Sequence, residues 1–270
     1  MQLDDIAAFN RERWNALVEA GIEYSRPFLD LNEQAARAEV DRYGFLGDVT
    51  GKELLCLASG GGQQSACLAL LGAKVTVFDL SDAQLANDRR AAEHYGFSIR
   101  TIQGDMRDLS CFDDDSFDIV WHAYSINFVP DARPVLHEAA RVARTGAFYR
   151  IQFANPFLAG MEEADWTGNG YALRQPYVDG AELIFADPHW DVYNEDGTHK
   201  RVIGPHEYRH SLSTMINTLA QQGFIILGTW EDPPGDIKAK PGSWEHFKAI
   251  APPWLTIWAR YRPDLFGKMP

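Results

Sequence analysis

Residues 54–72 read LLCLASGGGQQSACLALLG. The run Glu53–Ala58 is short and almost wholly apolar, as expected for a parallel strand buried on both faces. Gly60, Gly61 and Gly62 follow, then a helix-forming stretch, Gln64–Leu71, that stops at Gly72. Strand, glycine turn and helix together let a ligand approach the backbone. Glycine has no Cβ and tolerates positive φ, and the free N–H groups at the start of the helix face the turn. The frame Ala58-Ser59-Gly60-Gly61-Gly62 fits GxGxG with alanine in the first glycine place, and it is not the dinucleotide fingerprint GxGxxG. Taken alone, such a turn also reads as a tight strand-to-helix connection.

Outward from this unit, strands and helices alternate. Lys74–Leu80, Ser98–Gln103, Phe117–His122 and Ala147–Phe153 read as strands. Helices fall between them over Ser81–His94, with Ser81 as N-cap, and over Asp131–Val142. This alternation predicts an α/β fold with a doubly wound, mostly parallel sheet. Two helices precede it, Asp4–Ala20 and about Asp30–Tyr43. Asn155–Gly204 breaks the pattern. It is rich in Gly, Pro, Trp and Tyr, and its runs ALRQPYV and AELIFA suggest an inserted cap with a small hairpin. A helix over His206–Gln222, a strand at Phe224–Trp230, a loop through GDIKAKPGSWEHF and an edge strand at Pro253–Tyr261 complete the chain. The expected organisation is a helical segment over the active site (1–50), a core (51–154 and 205–270) and a cap or substrate-binding region (155–204).

Two carboxylates accompany the glycine turn. Asp79 ends the second strand, 19 residues beyond Gly60, near the offset of about 20 at which an acid meets ribose hydroxyls. It also reads as a helix cap. Gly104-Asp105-Met106 follows the third strand. There an aspartate can accept from an exocyclic amine and a methionine can pack on a purine face, although a surface turn would look the same. All three features fall at the carboxyl ends of consecutive strands.

The order SGGGQQS (59–65), VFDLS (77–81), QGDMRDLSCFDDDSFDIVW (103–121) and EAARV (138–142) resembles class I S-adenosylmethionine-dependent methyltransferases, most of all the small-molecule branch that includes the ubiquinone and menaquinone biosynthesis type. The resemblance spans about Gly51–Phe153. It implies a Rossmann-like, seven-stranded sheet with an antiparallel edge and S-adenosylmethionine as cofactor. It places Ala58, Ser59, Gly60, Gly62 and Gln63 against the methionine moiety and Asp79 on the ribose, with Leu80 beside the adenine. Asp105 and Met106 would meet the adenine, and Ala123 the methionine part and the acceptor. The sequence departs from the family at Cys56, where an acid is usual, and at Ala58, where glycine is usual.

The resemblance implies methyl transfer to a small acceptor, with O-methylation favoured over N- or C-methylation. A nucleotide-dependent oxidoreductase and a non-catalytic S-adenosylmethionine-binding module are the alternatives. A protonated oxygen acceptor needs a base, and His122 and His210 are the candidates. Tyr24, Tyr124, Asn127 and Arg174 are candidate acceptor contacts, with Arg26 as a second cation. Aromatic residues of the cap, Trp166, Tyr171, Tyr177, Trp190 and Tyr193, can wall an apolar pocket.

The balance of 25 basic and 38 acidic residues, a net charge of -13, argues against nucleic acid and anionic membranes as partners. No run has the roughly 20 apolar residues of a membrane span, and the start lacks the pattern of a signal peptide. Cys56, Cys67 and Cys111 read as buried thiols of a reducing compartment. No metal spacing is evident. The expectation is a cytoplasmic protein, monomeric or homodimeric.

Overall fold

The computed structural model describes residues 3–193, 196–231 and 234–265. Helix α1 (Asp5–Ala20) starts where the Asp4 carboxylate accepts from the Ala7 N–H, and it ends at Gly21 in the left-handed region. Helix α2 (Glu33–Val40) is shorter than the sequence suggests. Asn32 caps it by accepting from the Ala35 N–H. The elements β1 (Glu53–Leu57), α3 (Gln64–Leu70), β2 (Lys74–Asp79), α4 (Asp82–Tyr95), β3 (Arg100–Gln103), β4 (Phe117–His122), α5 (Arg133–Val142) and β5 (Ala143–Ala154) follow in order. Ser81 caps α4 as expected.

After the cap come α6 (Leu212–Gln221), β8 (Phe224–Glu231), α7 (Trp244–Ile250) and β9 (Trp254–Tyr261). The seven-stranded sheet has the order β3-β2-β1-β4-β5-β9-β8. The first five strands are parallel, while β9 runs antiparallel to both β5 and β8. Strand β9 is therefore interior, and the edge is β8. The apolar faces of β9 explain this, because Leu255 and Ile257 face one core and Trp258 the other. The strand order reverses between β1 and β4, the place where open α/β sheets bind ligands.

One sheet face, with Leu55, Leu57, Val120, Tyr149 and Ile151, packs under α5 and α6. The opposite face, with Leu54, Cys56, Ile119 and Trp121, packs under α2, α3 and α4. Cys56 and Cys67 are buried in this second core, but Cys111 is exposed. It lies in a turn region, outside any strand.

The cap differs from expectation in detail. Its hairpin is β6 (His189–Tyr193) with β7 (His199–Ile203). The runs ALRQPYV and AELIFA are not strands. The Gln175 side chain brings them together by exchanging hydrogen bonds with the Ile184 N–H and C=O at 3.0 and 2.8 Å. The hairpin packs on α1, with Val192 against Leu17 and Ile22 and Trp190 edge-on to Trp14. Residues 206–211, expected as the first turns of α6, are extended. Their backbone bonds across to Asn127, Ala181 and Leu183, and Ser211 caps the helix instead. Among the described residues, no helix is long and apolar enough to cross a membrane.

Candidate active site

A cavity of about 920 Å³ opens at the carboxyl ends of β1, β2, β3 and β4 and runs beneath α1 and the cap. Ala58, Ser59, Gly60 and Gln63 of the glycine turn line one end, together with Asp79, Leu80, Asp105 and Met106. Ala123, Tyr124 and Tyr24 line the passage toward the cap. These eleven candidate residues and Trp190 of the cap thus line one cavity.

At the turn, a Cβ on Gly60 would stand 2.7 Å from Gln84 Cβ and 3.1 Å from Asp79 Oδ2. Only glycine lets the chain pass so close. The Asp79 carboxylate accepts from the Gly60 N–H and the Ser81 N–H, each at 2.9 Å, and burial pushes its pKa up. Each of its oxygens keeps a further lone pair. Ser59 Oγ and Gln84 Oε1, both on the cavity wall, are buried without a hydrogen-bond partner. Acceptors beside an apolar slot between Leu80 and Met106, with a cradle that a Cβ would fill, suit a polar, ribose-bearing cofactor with a flat base.

Asp105 reaches the same wall, but its carboxylate is gripped by Arg107, whose Nε lies 3.0 Å from each oxygen. Arg107 Nη1 also reaches Asp4 Oδ2 at 2.7 Å. These contacts hold the Asp4 carboxyl below its usual range and tie the cap of α1 to the end of β3.

Gly62, His122, His210, Asn127, Arg174 and Arg26 lie off this wall. Gly62 faces the underside of the turn, where a Cβ would come within 2.6 Å of the Asn87 carbonyl and 2.7 Å of Pro27. His122 is fully buried on the α5/α6 face of the sheet, the same side as Val120, because side chains alternate along a strand. Its Nδ1 pairs with the Tyr149 hydroxyl at 2.9 Å. Burial, with the Arg150 charge nearby, holds its pKa down to about 3. His210 is buried with Nε2 on the Ile126 carbonyl at 2.9 Å, and burial lowers its pKa too. Neither histidine meets the cavity, so neither is positioned as the base.

Asn127 bridges Tyr208 and Ala154 through backbone bonds at 2.9 Å and is structural. Arg174 pairs with Asp165 beside a separate cap pocket. Arg26 is spent on the carbonyls of Gly21 and Tyr193.

Three groups escaped the sequence reading. Glu207, just after the cap, is only 8% exposed and lines the cavity. It accepts from the Tyr124 hydroxyl at 3.0 Å. Burial pushes its pKa up to about 7, and Glu162 adds to the rise. Arg150 lies in the cavity wall with its guanidinium 4.6 Å from the Trp121 ring. Asp88, on α4, holds the glycine turn from behind.

A family profile described as a methyltransferase domain matches residues 55–151. The chain is 34% identical over 247 residues to the uncharacterized methyltransferase YbaJ of Bacillus subtilis, covering 86% of this chain and 93% of that one. The chain belongs to the class I S-adenosylmethionine-dependent methyltransferases. A ubiquinone biosynthesis O-methyltransferase of Hahella chejuensis is 33% identical to this methyltransferase over 108 residues, which is 45% of that protein's length. The methyltransferase fold matches an S-adenosylmethionine-dependent methyltransferase structure from Mesorhizobium loti at a TM-score of 0.58. That match has 20% identity and covers 86% of this chain and 100% of the other. The methyltransferase takes S-adenosylmethionine as its cofactor.

Proposed function

We propose that this enzyme methylates a hydroxyl oxygen of a small, largely apolar or aromatic molecule, with Glu207 receiving the proton. The carrying observation is the Tyr124–Glu207 pair. It sits in the cavity that also holds the glycine turn, buried, with the Glu162 carboxylate as the charge acting on it. A carboxylate kept there is costly unless it has work to do.

In this reading the turn at Ala58, Ser59 and Gly60, with Gln63 beside it, holds the methionine part of the cofactor. Asp79 accepts from the ribose hydroxyls, and Leu80 and Met106 enclose the adenine. Asp105 shares its oxygens between Arg107 and the adenine amine. Bound S-adenosylmethionine supplies a methyl group already activated on a sulfonium. Positioning and exclusion of water are then the main tasks of the protein. Tyr24, Tyr124 and Trp190 wall the acceptor side, and α1 covers it through Phe9, Asn10 and Trp14. As the acceptor oxygen gains the methyl group, its proton passes to Glu207, whose pKa near neutrality suits a base. Tyr124 keeps the carboxylate oriented.

The relatives named for quinone O-methylation support an oxygen acceptor only in part, since the chain spans about half of their length. The test is transfer of labelled methyl groups to a panel of phenols, alkylamines and thiols. Glu207→Gln should bind S-adenosylhomocysteine as the wild type does and lose methylation of the phenols. Full phenol methylation by that variant, or methylation of amines alone, rejects the reading.

A further inference from the structure

Behind the glycine turn, out of reach of the cavity, lies a fully buried carboxylate. Asp88, on α4, accepts from the Gly61 N–H at 2.9 Å through Oδ2 and from the Gly62 N–H at 3.0 Å through Oδ1. The Ser65 hydroxyl of α3 donates to Oδ1 as well. Gly61 and Gly62 have φ of 121° and 76°, so both adopt backbone that other residues rarely enter. On the cavity side the next N–H, that of Gly60, goes to Asp79 Oδ2. Three successive amides of the turn are therefore held by two carboxylates on opposite sides of it.

The surroundings of Asp88 contain no compensating cation among the described residues. The groups facing it are the Cys56 thiol from β1, Asp79 from β2 and Ser65 from α3. Burial, with Asp79 adding repulsion, pushes its pKa up to about 7, while its three donors pull it back. The Cys56 thiol is itself pushed up by burial and by the charge of Asp88, so it remains a neutral neighbour. An acid at position 56 would set a further buried negative charge against Asp88. A carboxylate that bears this cost while touching no ligand is repaid only through what it holds in place.

We propose that Asp88 is a positioning residue of the methyl-transfer site. By gripping Gly61 and Gly62 it sets the turn, and through the turn Ser59 and Gly60, in the form that receives the cofactor. Charge-assisted bonds to an ionised carboxylate are about twice as strong as neutral ones. Protonation places an O–H among three converging donors and loosens the grip. Cofactor affinity therefore follows the charge of Asp88.

The test uses the full chain. S-adenosylhomocysteine is titrated calorimetrically into the wild type and Asp88→Asn between pH 5.5 and 8.5, and the Gly61 and Gly62 amides are followed by NMR in the free proteins. In the wild type, affinity should fall about fivefold or more from pH 8 to pH 6, and both amide shifts should move along the same curve. Asp88→Asn should bind about tenfold more weakly at pH 8 and lose both pH dependences. Wild-type affinity in Asp88→Asn overturns the proposal, and so does a pH break that survives the substitution. If Asp88→Asn does not fold, Ser65→Ala serves instead. It removes a donor that lowers the pKa of Asp88, so the break should move to higher pH, and an unmoved break overturns the proposal.

Discussion

The Tyr124 hydroxyl donates to Glu207 Oε2 at 3.0 Å and links the end of β4 to the segment that leaves the cap, 83 residues later. That bond lowers the pKa of Glu207, against a larger rise from burial. Tyr124→Phe should therefore raise it further and leave less carboxylate ready to accept a proton at pH 7. Turnover at pH 7 should drop about fivefold, the scale of one lost hydrogen bond. The half-maximal point of the pH–rate profile should move to higher pH. A profile that moves the other way removes Glu207 as the base.

Asp79→Ala should weaken S-adenosylhomocysteine binding by roughly 1.5–3 kcal/mol, the scale of a lost hydrogen bond to a charged group. Calorimetric titration measures this directly. Unchanged affinity would move the ribose away from the end of β2.

His122 should matter to stability and not to cofactor binding. His122→Leu leaves the Tyr149 hydroxyl buried without its partner, which should cost roughly 1–3 kcal/mol in denaturant unfolding. The affinity for S-adenosylhomocysteine should stay within twofold of wild type. A stable variant with a lost cofactor site would contradict the placement of His122 behind the sheet.

Ala58 has φ of 45°, in the left-handed region, although it is not glycine. The conformation costs an alanine roughly 1–2 kcal/mol, and glycine gives back part of the relief as chain entropy. Ala58→Gly should raise unfolding stability by roughly 0.5–1 kcal/mol. A loss of stability would mean that the methyl group, which packs on the main core, outweighs the strain.

Glu207 also links stability to pH. Its folded pKa, about 7, lies above the 4.5 of an ordinary glutamate. The folded chain thus holds a proton that the unfolded chain gives up, and the stability this provides is complete below about pH 4.5 and is lost as pH rises through 7. Glu207→Gln should remove that dependence. The stability of the variant relative to wild type should climb between pH 5 and pH 8 by on the order of 2 kcal/mol. Parallel stability curves would show that Glu207 is not desolvated.

Much of the cavity wall at the strand ends was legible because its signals are local. The strand, the glycine turn and the helix of residues 54–72 are contiguous, Asp79 closes β2, and Asp105 follows the end of β3 at Gln103. Parallel pairing then carries those strand ends to one edge of the sheet. The interior place of β9 was less legible, since an apolar strand near the end of a chain reads equally well at an edge or inside.

The amino-acid sequence by itself determined the doubly wound sheet, the cofactor class and the residues at the carboxyl ends of its strands. The sheet and the strand ends follow from periodicity and spacing within segments of some 20 residues, whereas the cofactor class came from the resemblance to the methyltransferase family. The tertiary structure alone decided which polar groups face the cavity. Alternation along β4 puts Trp121 and His122 on opposite faces, but only the packing of α5 and α6 shows that the face of His122 is sealed. Glu207 meets Tyr124, and Asp88 meets Gly61, across 83 and 27 residues of chain. No local pattern records such a meeting. It exists only once the core has brought distant segments together and removed the water that would otherwise solvate those carboxylates.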